Sequence, residues 1–129
     1  MNNLRERIKE TIQSEDVVLF MKGTPARVFC GNSARALDAL RAVGAPVTAV
    51  DVLPDPAIRQ ELSALSSWPT IPQVFVRGEL VGGADIVEEL AESGELRAKL
   101  DSALGDGWAE RREERVVELA PPPAFRLVQ

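Results

Sequence analysis

Histidine is absent from this 129-residue chain, and cysteine occurs once, at Cys30. The first absence removes the usual general base, the commonest metal ligand and any Ser–His or Cys–His pair. The second excludes a disulfide within the chain, whatever the compartment. Covalent or metal chemistry therefore has to pass through Cys30 or rest on carboxylates alone. Basic clusters are also missing: the net charge is −5 and no Lys/Arg run exceeds the Arg111-Arg112 pair. That argues against a nucleic-acid partner, which needs a basic stripe to displace counterions from phosphates. The longest strongly apolar run, Val17 to Met21, falls far short of the ~20 residues of a membrane helix. Met1-Asn2-Asn3-Leu4-Arg5-Glu6 is polar and lacks the apolar core of a signal peptide. A soluble, cytoplasmic protein is the expectation.

What is present fits one ordinary globular core: 45% apolar and 27% charged residues in a length suited to a single domain. Leu4, Ile8 and Ile12 recur every four residues among charged neighbours and predict a first helix with one buried stripe. Val17 to Met21 reads as a central strand buried on both faces. Lys22 to Phe29 is a loop with Gly23 and Pro25. A helix follows over about Ser33 to Val43, with Leu37 and Leu40 inward and Gly44 as its stop. Val47 to Asp51 is a second strand. Asp55-Pro56 supplies a cap and a first-turn proline for a helix that buries Ile58, Leu62 and Leu65.

Gln73 to Val76 and Glu79 to Val81 form a hairpin around Arg77-Gly78. Gly82-Gly83 opens a helix with Ile86, Val87 and Leu90 inward, stopped by Gly94, and a last helix carries Leu96, Leu100 and Leu104. The order α-β-α-β-α-β-β-α-α, with a right-handed parallel crossover first and an antiparallel hairpin later, predicts a thioredoxin-like α/β fold. Its expected sheet is four-stranded and mixed, with helices on both faces. Residues 1–104 form the expected domain and 105–129 a C-terminal extension. The extension begins at the linker signal Gly105-Asp106-Gly107, is charge-rich from Trp108 to Ala120, and is interrupted by Pro121-Pro122-Pro123. Composition reads it as a loosely attached tail. The alternative is that Trp108 and the valines at 116 and 117 dock on the domain or on a partner. Phe125 to Val128 is a short strand or nothing.

Cys30 stands apart from the periodic apolar sets, at the carboxyl end of a strand and the start of a helix, where open α/β sheets place their sites. There a thiol faces free N–H groups and the positive end of the helix dipole, which favour thiolate. Gly31 beside it permits close approach of another molecule.

Four segments carry a resemblance. Met21-Lys22-Gly23-Thr24-Pro25, Cys30-Gly31-Asn32-Ser33, Trp68-Pro69-Thr70-Ile71-Pro72-Gln73 and Gly78-Glu79-Leu80-Val81-Gly82-Gly83-Ala84-Asp85 resemble, in order and spacing, the signatures of monothiol glutaredoxins with a Cys-Gly-Phe-Ser site. The resemblance covers about residues 4 to 104. It implies the thioredoxin fold and glutathione bound beside Cys30. By the same resemblance Lys22 and Arg59 hold the glycine carboxylate, and the backbone of Ile71, before a cis proline at Pro72, pairs with the cysteinyl part. Ala84 and Asp85 receive the γ-glutamyl end. Charge logic agrees: a tripeptide with two carboxylates and one amine asks for cations at one end and an anion at the other.

A [2Fe–2S] cluster wants four ligands, usually thiolates. One Cys30 and one glutathione give two, so a cluster implies a homodimer with two glutathiones, as the resemblance also implies. Three residues depart from the family's pattern. Asn32 replaces its phenylalanine, Ala84 stands where many relatives carry a second cysteine, and Val28 replaces a frequent proline. Three functions are open to such a chain. It is a cluster carrier delivering to apo iron–sulfur recipients, with Cys30 as the metal ligand. Alternatively it is a thiol–disulfide oxidoreductase that removes glutathione from mixed disulfides, with Cys30 catalytic. The third reading is a non-catalytic adaptor for a partner such as a BolA-like protein.

Overall fold

A computed structural model of the chain describes residues 3–119. Helix α1 spans Leu4–Ser14, and its first turn is closed by Asn3, whose side chain accepts the Glu6 N–H at 2.9 Å. Strand β1, Val17–Met21, is buried at every position. Its neighbours explain why: it pairs parallel with β4, Val47–Asp51, and antiparallel with β5, Gln73–Val76. Alternate side chains enter different cores. Val17, Leu19 and Met21 join Leu37, Leu40, Val87, Leu96 and Leu100 on one face. Val18 and Phe20 join Ile8, Ile12, Ile58, Leu62 and Phe75 on the other. Phe20 and Phe75 meet edge-to-face, ring centroids 5.7 Å apart. The uninterrupted apolar run thus belongs to a strand covered on both sides.

Helix α2, Gly31–Ala42, and helices α4, Ala84–Ser93, and α5, Glu95–Leu104, cover the first core. Helices α1 and α3, Pro56–Ser66, cover the second. Asp55 caps α3 by accepting the Ala57 N–H at 2.9 Å, with Pro56 in its first turn. Strand β6, Glu79–Gly82, completes the hairpin with β5. These elements follow the expected order, and the architecture is thioredoxin-like.

Three features differ from the sequence reading. The loop after β1 folds into a two-residue ladder, β2 (Gly23–Thr24) against β3 (Arg27–Val28). A short helix α6, Trp108–Arg111, follows α5. The main sheet has five strands rather than four, in the order β6-β5-β1-β4-β7, because β7, Glu114–Val116, pairs parallel with β4. The extension through Leu119 therefore packs on the domain. Trp108 is 3% exposed within the first core, and its indole N–H donates to Asp101 at 2.7 Å. Leu119 is buried in the second core, and its carbonyl accepts from Arg7 at 2.6 Å. Strand β7 escapes a reading by hydrophobic pattern because all three of its residues are exposed. Backbone hydrogen bonds hold it, among them Val47 N–H to Glu113 at 2.8 Å and Val117 N–H to Ala49 at 2.9 Å. The sequence reading at Phe125 to Val128 lies outside the described residues. Among the described residues no helix is long and apolar enough to cross a membrane.

Candidate functional site

Beyond β1 the chain has to reverse before entering α2, and Gly23 makes this possible. Its φ is +101°, and a Cβ there would lie 2.3 Å from the Arg27 carbonyl oxygen. The Asp51 carboxylate at the end of β4 accepts the Gly23 N–H at 2.9 Å, and Phe29 N–H closes the loop onto the Lys22 carbonyl at 3.0 Å. The chain is thereby delivered to Cys30 in extended conformation (φ −145°, ψ 129°), as the N-cap of α2.

At that position the thiol meets the unpaired N–H groups of the first turn. The Ser33 N–H lowers its pKa most. Partial burial opposes this, while the Asn32 N–H, the Ser33 hydroxyl and the Lys22 charge lower it further. The Cys30 thiol is consequently held below the ordinary cysteine value. Ser33 is fully buried and its hydroxyl oxygen also accepts the Lys22 N–H at 3.0 Å. It pins the strand end to the helix start while its own hydrogen is available to the thiolate. Ser33 has no role assigned by the sequence pattern alone; the signal that identifies one is a hydroxyl three residues beyond a capping cysteine, within reach of the first turn.

Next to the α2 N-terminus lies a groove of about 350 Å³. One wall is the Trp68–Pro72 loop, with Trp68, Thr70, Ile71 and Pro72. The other is the start of α4, with Gly83, Ala84, Asp85 and Ile86, and Asn32 borders both. The Ile71–Pro72 peptide is cis. Gln73, wholly buried, holds the loop by donating its side-chain N–H groups to the Trp68 and Thr70 carbonyls at 2.9 and 3.2 Å. The walls are close at Gly83, where a Cβ would stand 3.3 Å from the Pro72 carbonyl oxygen and 3.5 Å from the Trp68 indole nitrogen.

Of the residues singled out from sequence, Ile71, Ala84 and Asp85 share this groove. Lys22 lies at the thiol, near enough for its charge to act on it. Arg59 reaches the Trp68–Pro72 loop from α3, donating to the Pro69 carbonyl at 3.4 Å, and does not line the groove. Sequence reasoning missed Arg35, one turn into α2. Its guanidinium donates to Asn32 at 3.0 Å, to Asp85 at 2.7 Å and, through Nε, to Glu88 at 3.1 Å. The Glu88 carboxyl is held below the usual carboxylate range, chiefly by that hydrogen bonding.

The fold and the site define a thioredoxin-like protein with a single thiol at the head of α2 and a cis-proline loop along the adjacent groove. Similarity to known proteins narrows this. The family model "Glutaredoxin" matches residues 17–81. Over 87 residues the chain is 48% identical to the probable monothiol glutaredoxin GrlA of Legionella pneumophila, covering 67% of this chain and 98% of that protein. It is 45% identical over 98 residues to monothiol glutaredoxin-S17 of Arabidopsis thaliana, 76% of this chain but only 20% of the plant protein. The chain thus spans about a fifth of that longer relative. A monomeric truncated mutant of Trypanosoma brucei 1-C-Grx1, solved in solution, matches with a TM-score of 0.71 and 44% identity over 79% of this chain and 93% of the other. The chain belongs to the glutaredoxin family, in its monothiol branch.

Proposed function

We propose that this glutaredoxin binds glutathione in the groove beside Cys30 and, as a pair of chains, carries a [2Fe–2S] cluster for assembly into or transfer to apo iron–sulfur proteins. The observation that carries the reading is one stabilised thiolate, with the Lys22 charge acting on it, at the head of the helix whose Asn32 borders a groove that carries Asp85. Glutathione has the complementary layout. Lys22, with Arg59 beyond it, faces the glycine carboxylate, and the Ile71 backbone offers strand-like pairing to the cysteinyl residue. Asp85 takes the ammonium of the γ-glutamyl group, while the uncapped N-terminus of α4 at Ala84 supplies N–H donors.

The donor set fits a cluster only when completed from outside the chain. Among the described residues no three His, Cys, Asp or Glu side chains gather to hold a metal, and the whole sequence offers one thiol. Cys30 and a glutathione thiol from each of two chains supply the four ligands a [2Fe–2S] centre uses. Bound there, the cluster is cargo, and the protein's part is to present one thiolate and orient one tripeptide. Cytoplasmic residence and pairing with a BolA-like protein belong to the same proposal.

A second reading is favoured by the same stabilised thiolate, only partly buried. Cys30 attacks the glutathione sulfur of a protein–glutathione mixed disulfide, expelling the protein thiolate and becoming glutathionylated. A second glutathione thiolate then attacks that bond, releasing Cys30 thiolate and oxidised glutathione.

Anaerobic reconstitution with iron, sulfide and glutathione, followed by an absorption spectrum and a mass, separates the two. The expected outcome is a brown, glutathione-dependent dimer that Cys30→Ser abolishes. A colourless monomer under conditions that load an ordinary relative would sink the carrier reading, and turnover of a glutathione mixed disulfide would then test the second.

A further inference from the structure

Resting on the glutathione reading above, we propose that Arg35 is a specificity-determining residue: with Asp85 it forms a charge pair that reads the zwitterionic end of the γ-glutamyl group, Arg35 taking its α-carboxylate and Asp85 its ammonium.

The geometry begins with two helices that start side by side. Asn32 in the first turn of α2 and Asp85 in the first turn of α4 both line the groove. The Arg35 guanidinium spans them, donating from Nη1 to Asn32 at 3.0 Å and from Nη2 to Asp85 at 2.7 Å. Glu88, one turn further along α4, holds it from behind through Nε at 3.1 Å and through Nη2. These are four hydrogen bonds from a group with five N–H donors. The remaining donor is on Nη1, the nitrogen bonded to Asn32; Arg35 itself stands beside the groove and reaches its edge through Asn32 and Asp85.

Asp85 is matched to this. Its side chain is 88% exposed, and Arg35 engages only one of its oxygens, leaving the other for a second cation. The guanidinium, unlike Asp85, has two further partners. Asn32 and Glu88 hold it in one place, as a recognition site requires and as solvent-exposed pairs usually lack.

The chemistry of the ligand supplies the reason for a pair. In the γ-glutamyl group an ammonium and a carboxylate sit on one carbon, so an anion alone attracts one and repels the other. Arg35 beside Asp85 turns that repulsion into a planar hydrogen-bonding contact suited to a carboxylate. Asn32 then has a definite role as a positioning residue: its carbonyl orients Arg35 across one helical turn, which the phenylalanine of relatives cannot do.

The test is calorimetric binding to the reduced full chain of three tripeptides: glutathione, glutaryl-Cys-Gly, which lacks the amine, and 4-aminobutyryl-Cys-Gly, which lacks the α-carboxylate. Arg35→Gln should weaken glutathione and glutaryl-Cys-Gly by about three- to ten-fold, the size of an exposed but fixed charge pair. It should leave 4-aminobutyryl-Cys-Gly within about two-fold. Asp85→Asn should give the opposite selectivity, Arg35→Lys should recover part of the loss, and Asn32→Ala should reproduce the Arg35→Gln pattern more weakly. An unchanged glutathione affinity in Arg35→Gln, or an equal loss for all three ligands, would overturn the assignment. If the unaltered chain is folded by circular dichroism and binds none of the three, the glutathione reading itself fails.

Discussion

The two ends of strand β4 are held by different forces. At its carboxyl end, Asp51 and the loop around Gly23 organise the Cys30 turn through backbone and side-chain hydrogen bonds, with a fully buried Ser33 as the pin. At its amino end, β7 pairs in parallel over three exposed residues and is fastened by ion pairs: Arg41 to Glu114 at 2.7 Å, Arg111 to Asp16 at 2.7 Å and Arg115 to Glu15 at 2.5 Å. One end is built to fix a few atoms in place, the other to close an edge. An unpaired edge strand is a template for unwanted pairing, and β7 covers the β4 edge without extending the apolar core. Hydrogen bonds within reach of a thiolate change its chemistry. Ion pairs on a wet edge change only how firmly the edge is shut.

The comparison breaks most readily at Trp108, the bulkiest buried side chain of the edge segment among the described residues. Its burial in the core that also holds Leu96 and Leu100, its bond to Asp101 and the Arg97 guanidinium 5.5 Å from its ring centre make it part of the core. Trp108→Ala should cost about 3–5 kcal/mol, the range for a buried aromatic, read as a lower midpoint in denaturant. A loss below about 0.5 kcal/mol would mean that the segment is a tail after all. The Cys30 thiolate should titrate as before, since the anchor lies away from the site.

At the other end the expected effect is smaller in stability and larger in chemistry. Ser33→Ala removes a hydroxyl that accepts the Lys22 N–H and favours the Cys30 thiolate. Leaving that N–H without its partner should cost roughly 1–2 kcal/mol. The thiol should titrate at higher pH than in the unaltered chain, because a stabiliser of the charged form is gone. It should still titrate below ordinary cysteine, because the largest contribution, the Ser33 backbone N–H, survives. Ultraviolet thiolate absorbance against pH, with Cys30→Ser as the blank, measures this. A titration curve that does not move would show that the backbone alone sets the thiol.

The same contrast explains what could be read in advance. Wherever burial imposes a period, as in Leu4, Ile8 and Ile12 or the unbroken run Val17–Met21, the elements follow from sequence nearly to the residue. The site was legible from residue type at a lone cysteine at a helix start, and through the resemblance at the Ile71-Pro72 pair; Gly23 reads from sequence only as a loop glycine, and its left-handed turn is a finding of the structure. Arg35 was not legible, because an arginine in a charged helix has no spacing that distinguishes a guanidinium crossing to α4 from one in solvent. Strand β7 was not either, since exposed residues carry no period and its partner lies more than sixty positions earlier in the chain. Non-local pairings fixed by backbone and charge leave little trace in the order of residues.

The weakest expected effect tests whether charge fastens that edge. Glu114 has its pKa lowered from the ordinary glutamate value of 4.5, chiefly by the hydrogen bond from Arg41 and against a smaller opposing effect of burial. A carboxyl whose folded pKa lies below its unfolded one adds stability that is fully present above the unfolded value and is lost as the pH falls through the folded one. Glu114→Gln should therefore lower stability near neutral pH by about 0.5 kcal/mol, as for a partly exposed pair. The difference from the unaltered chain should close as the pH is taken well below 4.5, where the carboxyl is neutral in both states. Added salt should shrink the neutral-pH difference as well. Denaturation curves of the two proteins at a series of pH values make the comparison, and Asp16 and Glu15, present in both, cancel from it. A gap that persists unchanged into acid would assign the loss to altered packing at β7. The edge would then be shut by its backbone ladder and Trp108, with its ion pairs contributing nothing measurable.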